Sequence, residues 1–128
     1  MSVRTIWNEV EKVLGDYGWV ISDVDDVQQE RRCTIRIAEV PTQQRLRGAI
    51  GSGVVRITWN MEVVLYYNVG TNKRIERKVA EDAEDILAAI YASTVLVNHY
   101  FDGATIERDA SRMQVMNTMK FVFQDQAA

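Results

Sequence analysis

One long alternating segment constrains the fold more than any other feature of this sequence. From Val55 to Tyr67, apolar residues occupy every second position and form one face of a strand, while Arg56 opens the more polar face. A strand of this length would reach roughly 40 Å at about 3.3 Å per residue. A chain of 128 residues does not need that length to build its own core. The pattern therefore predicts that one end of the strand projects into a hairpin arm.

The composition bounds the class of protein. At 128 residues, with 47% hydrophobic and 26% charged residues, residues 1–128 are predicted to form a single globular domain. A net charge of −3 offers no general attraction to phosphate backbones, which disfavours sequence-specific nucleic-acid binding. The first residues lack the apolar core of a signal peptide and no apolar run reaches 18 residues, so we expect neither secretion nor a membrane partner.

Apolar residues at three-to-four-residue spacing predict two helices. The first covers residues 3–14 and is expected to end at Gly15. The second begins near residue 73 and ends in the mid-90s, with His99 close to its end. A short apolar run at residues 19–21 leads into residues 22–30, which lose their periodicity and are predicted to be a strand-poor connection.

Alternation predicts three strands besides the long one, over residues 31–40, 105–108 and 113–124. Asp102-Gly103 is predicted to be a turn. The element order is then α-β-β-α-β-β, with strands in pairs rather than alternating singly with helices. This order predicts an α+β fold with a mixed or antiparallel sheet and two helices packed on it.

A loop is predicted between the first strand and the long one, from residue 42 to 53. It is rich in glycine and contains Arg45 and Arg47, and it exceeds the two to five residues of a typical hairpin loop, so a contact function is expected. Its glycines precede a strand and are not followed by Lys-Ser or Lys-Thr, which argues against a phosphate-binding loop.

The sequence offers no combination of side chains that predicts catalysis. Cys33 belongs to the apolar face of its strand, where a thiol is expected to be buried and inert. His99 is the only histidine and has no evident nucleophile or carboxylate partner. The acidic run at 23–26 lacks the glycine and glutamate of a calcium-binding loop. We therefore predict no enzyme activity, no metal site and no cofactor.

Three features are candidates for protein contacts. Acidic side chains cluster on the second helix, either as a solvated face or as a contact for a basic partner, whereas basic side chains concentrate around the first strands and the loop. Two apolar residues of the long strand lie on its polar face, either for contact or for burial under the second helix. The candidate interface residues are Arg45, Arg47, Val64, Tyr66, Glu81, Asp82, Glu84 and Asp85.

The order of these elements resembles that of the tail terminator proteins of long-tailed bacteriophages. The resemblance spans the whole chain and centres on VRITWNMEVVLYYNVGTNKRIERKVAEDAEDIL, where the long strand gives way to the helix. It implies a subunit that forms a homo-oligomeric ring, usually a hexamer, on the end of the tail tube, stops tube polymerisation and joins the tail to the head.

The same resemblance implies the partners and their location. The partners are other copies of the chain, the tail tube protein and the head connector proteins. The long strand and its hairpin would serve neighbouring subunits, and the loop with Arg45 and Arg47 would face the lumen or the tube. Such a protein resides in the host cytoplasm during assembly and then at the tail–neck junction of the virion.

Two other functions stay open. A neck or head-completion protein also forms rings and lacks catalysis. A small ligand-binding or enzyme domain of ferredoxin-like type is compatible with a similar layout of elements, because one fold hosts unrelated functions.

Overall fold

The computed structural model describes residues 3–22, 31–37, 42–45, 55–68, 75–96, 99–109 and 113–127. These residues form an α+β fold, which confirms the predicted class. The helices are α1 (Val3–Asp16) and α2 (Ile75–Ala92). The strands are β1 (Val20–Ile21), β2 (Arg32–Ile37), β3 (Thr42–Arg45), β4 (Val55–Asn68), β5 (His99–Asp109) and β6 (Gln114–Ala127).

The strands form one mixed sheet around a central pair. Their order is β1-β2-β4-β6-β5, and β3 pairs with β4 on the edge that also carries β2. β1 runs parallel to β2, and the other pairs are antiparallel. β4 and β6 face each other along all 14 residues of each strand, from Val55 opposite Ala127 to Asn68 opposite Gln114. The long strand predicted from alternation is thus confirmed.

Both helices pack on one face of the sheet, which we call the helix face. The apolar stripes of α1 and α2 join alternate strand residues in one buried cluster. Fully buried side chains in it include those of Ile6, Leu14, Met61, Leu65, Ile86, Phe121 and Phe123. The odd-numbered face of β4 is therefore the core face, as its apolar alternation predicted.

Helix α1 ends at a different glycine from the one predicted. Gly15 remains inside the helix, and the chain reverses at Gly18, whose φ of 81° lies in the left-handed region. The amide of Gly18 donates to the carbonyl of Gly15 at 3.0 Å, and the amide of Trp19 donates to that of Leu14 at 3.1 Å. These two bonds form a Schellman cap, which uses carbonyls that the helix end leaves unpaired.

Two strands lie where the sequence predicted none. β1 lies in the short apolar run before the predicted connection and pairs with Arg32 and Cys33; two residues are too few to show alternation. β3 occupies the start of the predicted 42–53 loop and pairs with Val55–Thr58. Its sequence, TQQR, has no apolar alternation, so the pairing depends on backbone hydrogen bonds. The rest of that loop lies outside the described residues.

The predicted turn at Asp102-Gly103 is wrong, because both residues lie inside β5. The register with β6 shifts between Phe101 and Ala104, and Gly103 has a φ of 99°. The dipeptide forms a β-bulge, which uses the same glycine conformation as a turn without ending the strand. His99 consequently begins a strand and does not lie at a helix end.

The two glycines at the end of α1 provide a matched test. Gly18→Ala should lower the free energy of unfolding by about 1 kcal/mol, because alanine is strained at positive φ. A Cβ there meets nothing closer than the Arg31 Nε at 3.6 Å, so conformation is the cause. Gly15→Ala should raise it by about 0.5 kcal/mol, since Gly15 is helical and a Cβ meets nothing within 4 Å. Urea unfolding followed by circular dichroism measures both, and equal effects would contradict the cap.

Candidate interaction surface

The sheet face opposite the helices, here called the rear face, carries a mixed set of side chains. Strand pairing aligns Arg36 with Glu62, Val64 with Thr118, and Glu107 with Met116 on this face. It encloses a groove of about 420 Å³, also lined by Tyr66, Thr105 and Lys120. Among the described residues no helix contributes to its lining. The groove therefore combines charged and apolar groups on a rigid sheet.

Two contacts between neighbouring strands organise the rear face. The Arg32 guanidinium carbon lies 3.8 Å from the centroid of the Tyr66 ring, and Arg32 is only 2% exposed. A cation–π contact shielded from water contributes about 2 kcal/mol. Arg36 and Glu62 form an ion pair at 2.8 Å, whose exposed arginine limits it to about 1 kcal/mol or less. The first contact fixes the Tyr66 ring.

Val64 and Tyr66 lie together on this face, so the alternative that α2 buries them is wrong. Both point away from the helix face, and Val64 lies outside the cluster that the helices cover. Val64 is nonetheless 2% exposed, whereas Tyr66 is half-buried. Tyr66 thus offers a partner more accessible surface than Val64 does.

The acidic cluster of α2 separates into exposed and buried members. Glu81, Glu84 and Asp85 are exposed, and Glu81 pairs with Arg77 one turn earlier at 2.7 Å. Asp82 is buried, with 9% exposure, which corrects its assignment to an acidic surface. Helical spacing predicts the burial of Asp82, because Asp82 lies three residues after the buried Val79 and so on the same face of α2.

Asp82 instead holds β4 against α2. The Tyr67 hydroxyl donates to Asp82 Oδ2 at 2.9 Å, and Arg31 Nη1 lies 4.0 Å from the other carboxylate oxygen. Burial raises the pKa of Tyr67 well above its ordinary value of 10.0, and the charge of Asp82 and this hydrogen bond raise it further. Tyr67 is therefore a neutral donor that partners a buried carboxylate.

Of the two arginines in the predicted loop, only Arg45 lies within the described residues. Arg45 ends β3, with its backbone opposite Val55. Arg47 lies outside the described residues. The structure therefore brings Val64 and Tyr66 together on the rear face, whereas Glu81, Glu84 and Asp85 lie on the outer side of a helix that covers the opposite face.

Sequence reasoning missed most side chains of the rear-face groove. The alternation of β4 already assigned Glu62 to the same face as Val64 and Tyr66. Placing Arg36, Thr118 and Lys120 beside them requires the strand order and register, which a single sequence does not contain.

Cys33 is buried, as predicted, and His99 is half-buried. Burial with the nearby charge of Glu11 raises the pKa of the Cys33 thiol to about 12. His99 Nδ1 contacts the carbonyl oxygen of Leu96, and its ring lies 5.2 Å from that of Tyr91. Within the described ranges, no group of three histidine, cysteine or acidic residues is placed to hold a metal ion.

No described helix is both long and apolar enough to cross a bilayer.

The sequence matches no protein-family model and no curated protein.

The Tyr67–Asp82 contact generates a paired test of stability. Tyr67→Phe should cost about 1–3 kcal/mol at neutral pH, because the buried Asp82 carboxylate loses its donor. Tyr66→Phe keeps the ring beneath Arg32 and should cost less than about 0.5 kcal/mol. Chemical unfolding of both variants measures the difference, and equal losses would contradict the contact.

The same pair of variants should differ at alkaline pH. The folded protein holds the Tyr67 proton more tightly than the unfolded chain, so Tyr67 lowers the free energy of unfolding as the pH rises above about 10. Tyr67→Phe should show a shallower decline there than Tyr66→Phe. Cys33, whose pKa is also raised, contributes equally to both variants. Parallel declines would show that Tyr67 titrates normally.

Proposed function

We propose that this protein is a structural subunit that forms a closed homo-oligomeric ring, expected to contain six copies, on the end of a bacteriophage tail tube. In that position it stops tube polymerisation and provides the surface for head–tail joining. The proposal treats residues 1–128 as one domain that acts by binding and carries out no catalysis. Its partners are further copies of the chain, the tail tube protein and head connector proteins.

The observation that carries this proposal is the length of the β4–β6 pair relative to the helices. Each strand has 14 residues and spans roughly 46 Å at 3.3 Å per residue. The 18 residues of α2 span about 27 Å. Among the β4 side chains that the structure describes, at residues 58–68, the buried ones run from Met61 to Tyr67, and Trp59 packs against the core half-buried. The pair is thus longer than the helices that cover it.

The other end of the pair forms what we call the arm. It consists of β3, the start of β4 (55–58) and the end of β6 (124–127). Three paired strands are stable enough to hold a defined shape away from a core when another surface covers them. A neighbouring subunit is the covering surface that a ring provides.

Charge also supports contacts between unlike surfaces. The region from Arg31 to Arg56 contains six arginines and one acidic residue, Glu39. Glu84 and Asp85 lie exposed on the outer side of α2. When a basic patch of one subunit meets an acidic patch of the next, the contact is head-to-tail, and repeated head-to-tail contacts form a ring when the rotation between subunits closes.

The purified protein is expected to assemble with increasing concentration into a particle of six times the 14.6 kDa chain mass. Mass photometry across concentrations measures the stoichiometry, and class averages from negative-stain microscopy show whether the particle is closed. A chain that remains monomeric at every concentration would favour ligand binding in the rear-face groove as the alternative function.

Charge reversal tests which surfaces meet. Arg45→Glu with Arg47→Glu should weaken assembly, as should Glu84→Lys with Asp85→Lys, and combining both pairs should restore part of it. Arg4→Glu with Lys12→Glu provides a matched control for the arginine pair, because these exposed α1 residues change the net charge by the same amount and in the same direction. Equal loss in the control would show that net charge alone, and not a specific contact, determines assembly.

A further inference from the structure

Strand β5 forms the outer edge of the sheet on the side away from β2. It pairs with β6, and among the described strands none pairs with its other side. Beyond the bulge at Asp102-Gly103, the register runs without interruption from Ala104 opposite Met119 to Arg108 opposite Val115. Every residue from Ala104 to Arg108 is exposed. This segment presents a regular row of outward backbone donors and acceptors.

Natural edge strands usually carry features that prevent pairing with another chain, such as bulges, prolines or lysines. In β5 the bulge interrupts the strand before Ala104, and the segment after it contains neither proline nor lysine. Ile106 is 56% exposed within it, and Arg108 already bonds Glu76 of α2 at 2.5 Å. The segment is therefore suited to accept a further strand.

The two edges of the sheet carry opposite charge. β5 contains three carboxylates, on Asp102, Glu107 and Asp109, and one guanidinium. The opposite edge consists of β1, which is uncharged, and β3, whose sequence TQQR contains one arginine and no acidic residue. No described strand pairs with the outer side of β3. Pairing between unlike edges joins opposite charges, whereas pairing between two β5 edges brings acidic strands together.

We propose that β5 of one copy pairs edge to edge with β3 of a second copy, so that the sheet continues from one subunit into the next. This inference rests on the proposed ring and identifies the contact that closes it. Backbone hydrogen bonds supply the attraction, as in other cases of strand addition, and the charges of the two edges select the head-to-tail arrangement.

Hydrogen exchange measured on the monomer and on the assembled protein tests the inference without any substitution. Outward amides within Ala104–Arg108 and Thr42–Arg45 should exchange at least about tenfold more slowly after assembly, because bonded amides exchange only through opening. Amides on the exposed side of α1 should keep their rates. Unchanged rates at both edges in a ring that does form would overturn the edge contact and leave the proposed function intact.

Two consecutive proline substitutions provide a second test. Along β5, successive backbone amides point alternately outward and toward β6. One of the two substitutions Thr105→Pro and Ile106→Pro therefore removes an outward amide, and the other removes a hydrogen bond to β6. The variant with the smaller loss of stability should fail to assemble, while Thr105→Ala and Ile106→Ala assemble normally. Normal assembly of that proline variant would overturn the inference.

The stoichiometry separates the remaining outcomes. A dimer that grows no further, with slowed amide exchange at β5 but not at β3, would show that β5 pairs with β5 of a second copy and not with β3. A chain that stays monomeric under every condition overturns both this contact and the ring. Rings protected at both edges support the two proposals together.

Discussion

The antiparallel pairing of β4 with β6 fixes the position of every other element. Because the two strands face each other along their whole length, they set the register for β2 and β3 on one side and for β5 on the other. A shift of one residue would transfer the buried set of one strand, Met61 and Leu65 on β4 or Phe121 on β6, from the helix face to the rear face. Burial of these three side chains against α1 and α2 therefore maintains a single register.

The two faces of this sheet have different roles. The helix face is closed by apolar packing and by the buried Tyr67–Asp82 hydrogen bond, which joins β4 to α2. The rear face has Val64 and Thr118 buried in its lining, while Arg36 and Lys120 are exposed. Stability thus comes mainly from one side of the sheet. The rear face, the arm and the outer edges remain as the surfaces that a partner would use.

Periodicity in the sequence predicted the elements whose burial is one-sided. α1, α2 and the long strand each present an apolar stripe, so their existence and the core face of β4 followed from spacing alone. The predictions were wrong where backbone geometry determines where an element ends. Gly15 and Gly18 look alike in sequence, and only the φ of Gly18 identifies the cap.

Tertiary context explains the other differences. β3 has no apolar pattern and exists because β4 offers it a free edge, and Gly103 forms a bulge because β6 continues past it. For the candidate interface, residue spacing correctly predicted that Val64 and Tyr66 lie on the same face of β4. The burial of Asp82 and the proximity of Arg36 to the groove depended on which elements pack against each other.

Electron microscopy of tail tubes polymerised in the presence of this protein tests whether the chain caps a tube as a ring. We expect tubes of limited length, with a ring of six subunits on one end that gains density when head connector proteins are added. Tubes that grow as they do without the protein, with bare ends, would show that the chain does not terminate tubes. If the protein instead forms free rings that bind head connector proteins while the tubes stay uncapped, it is a neck protein.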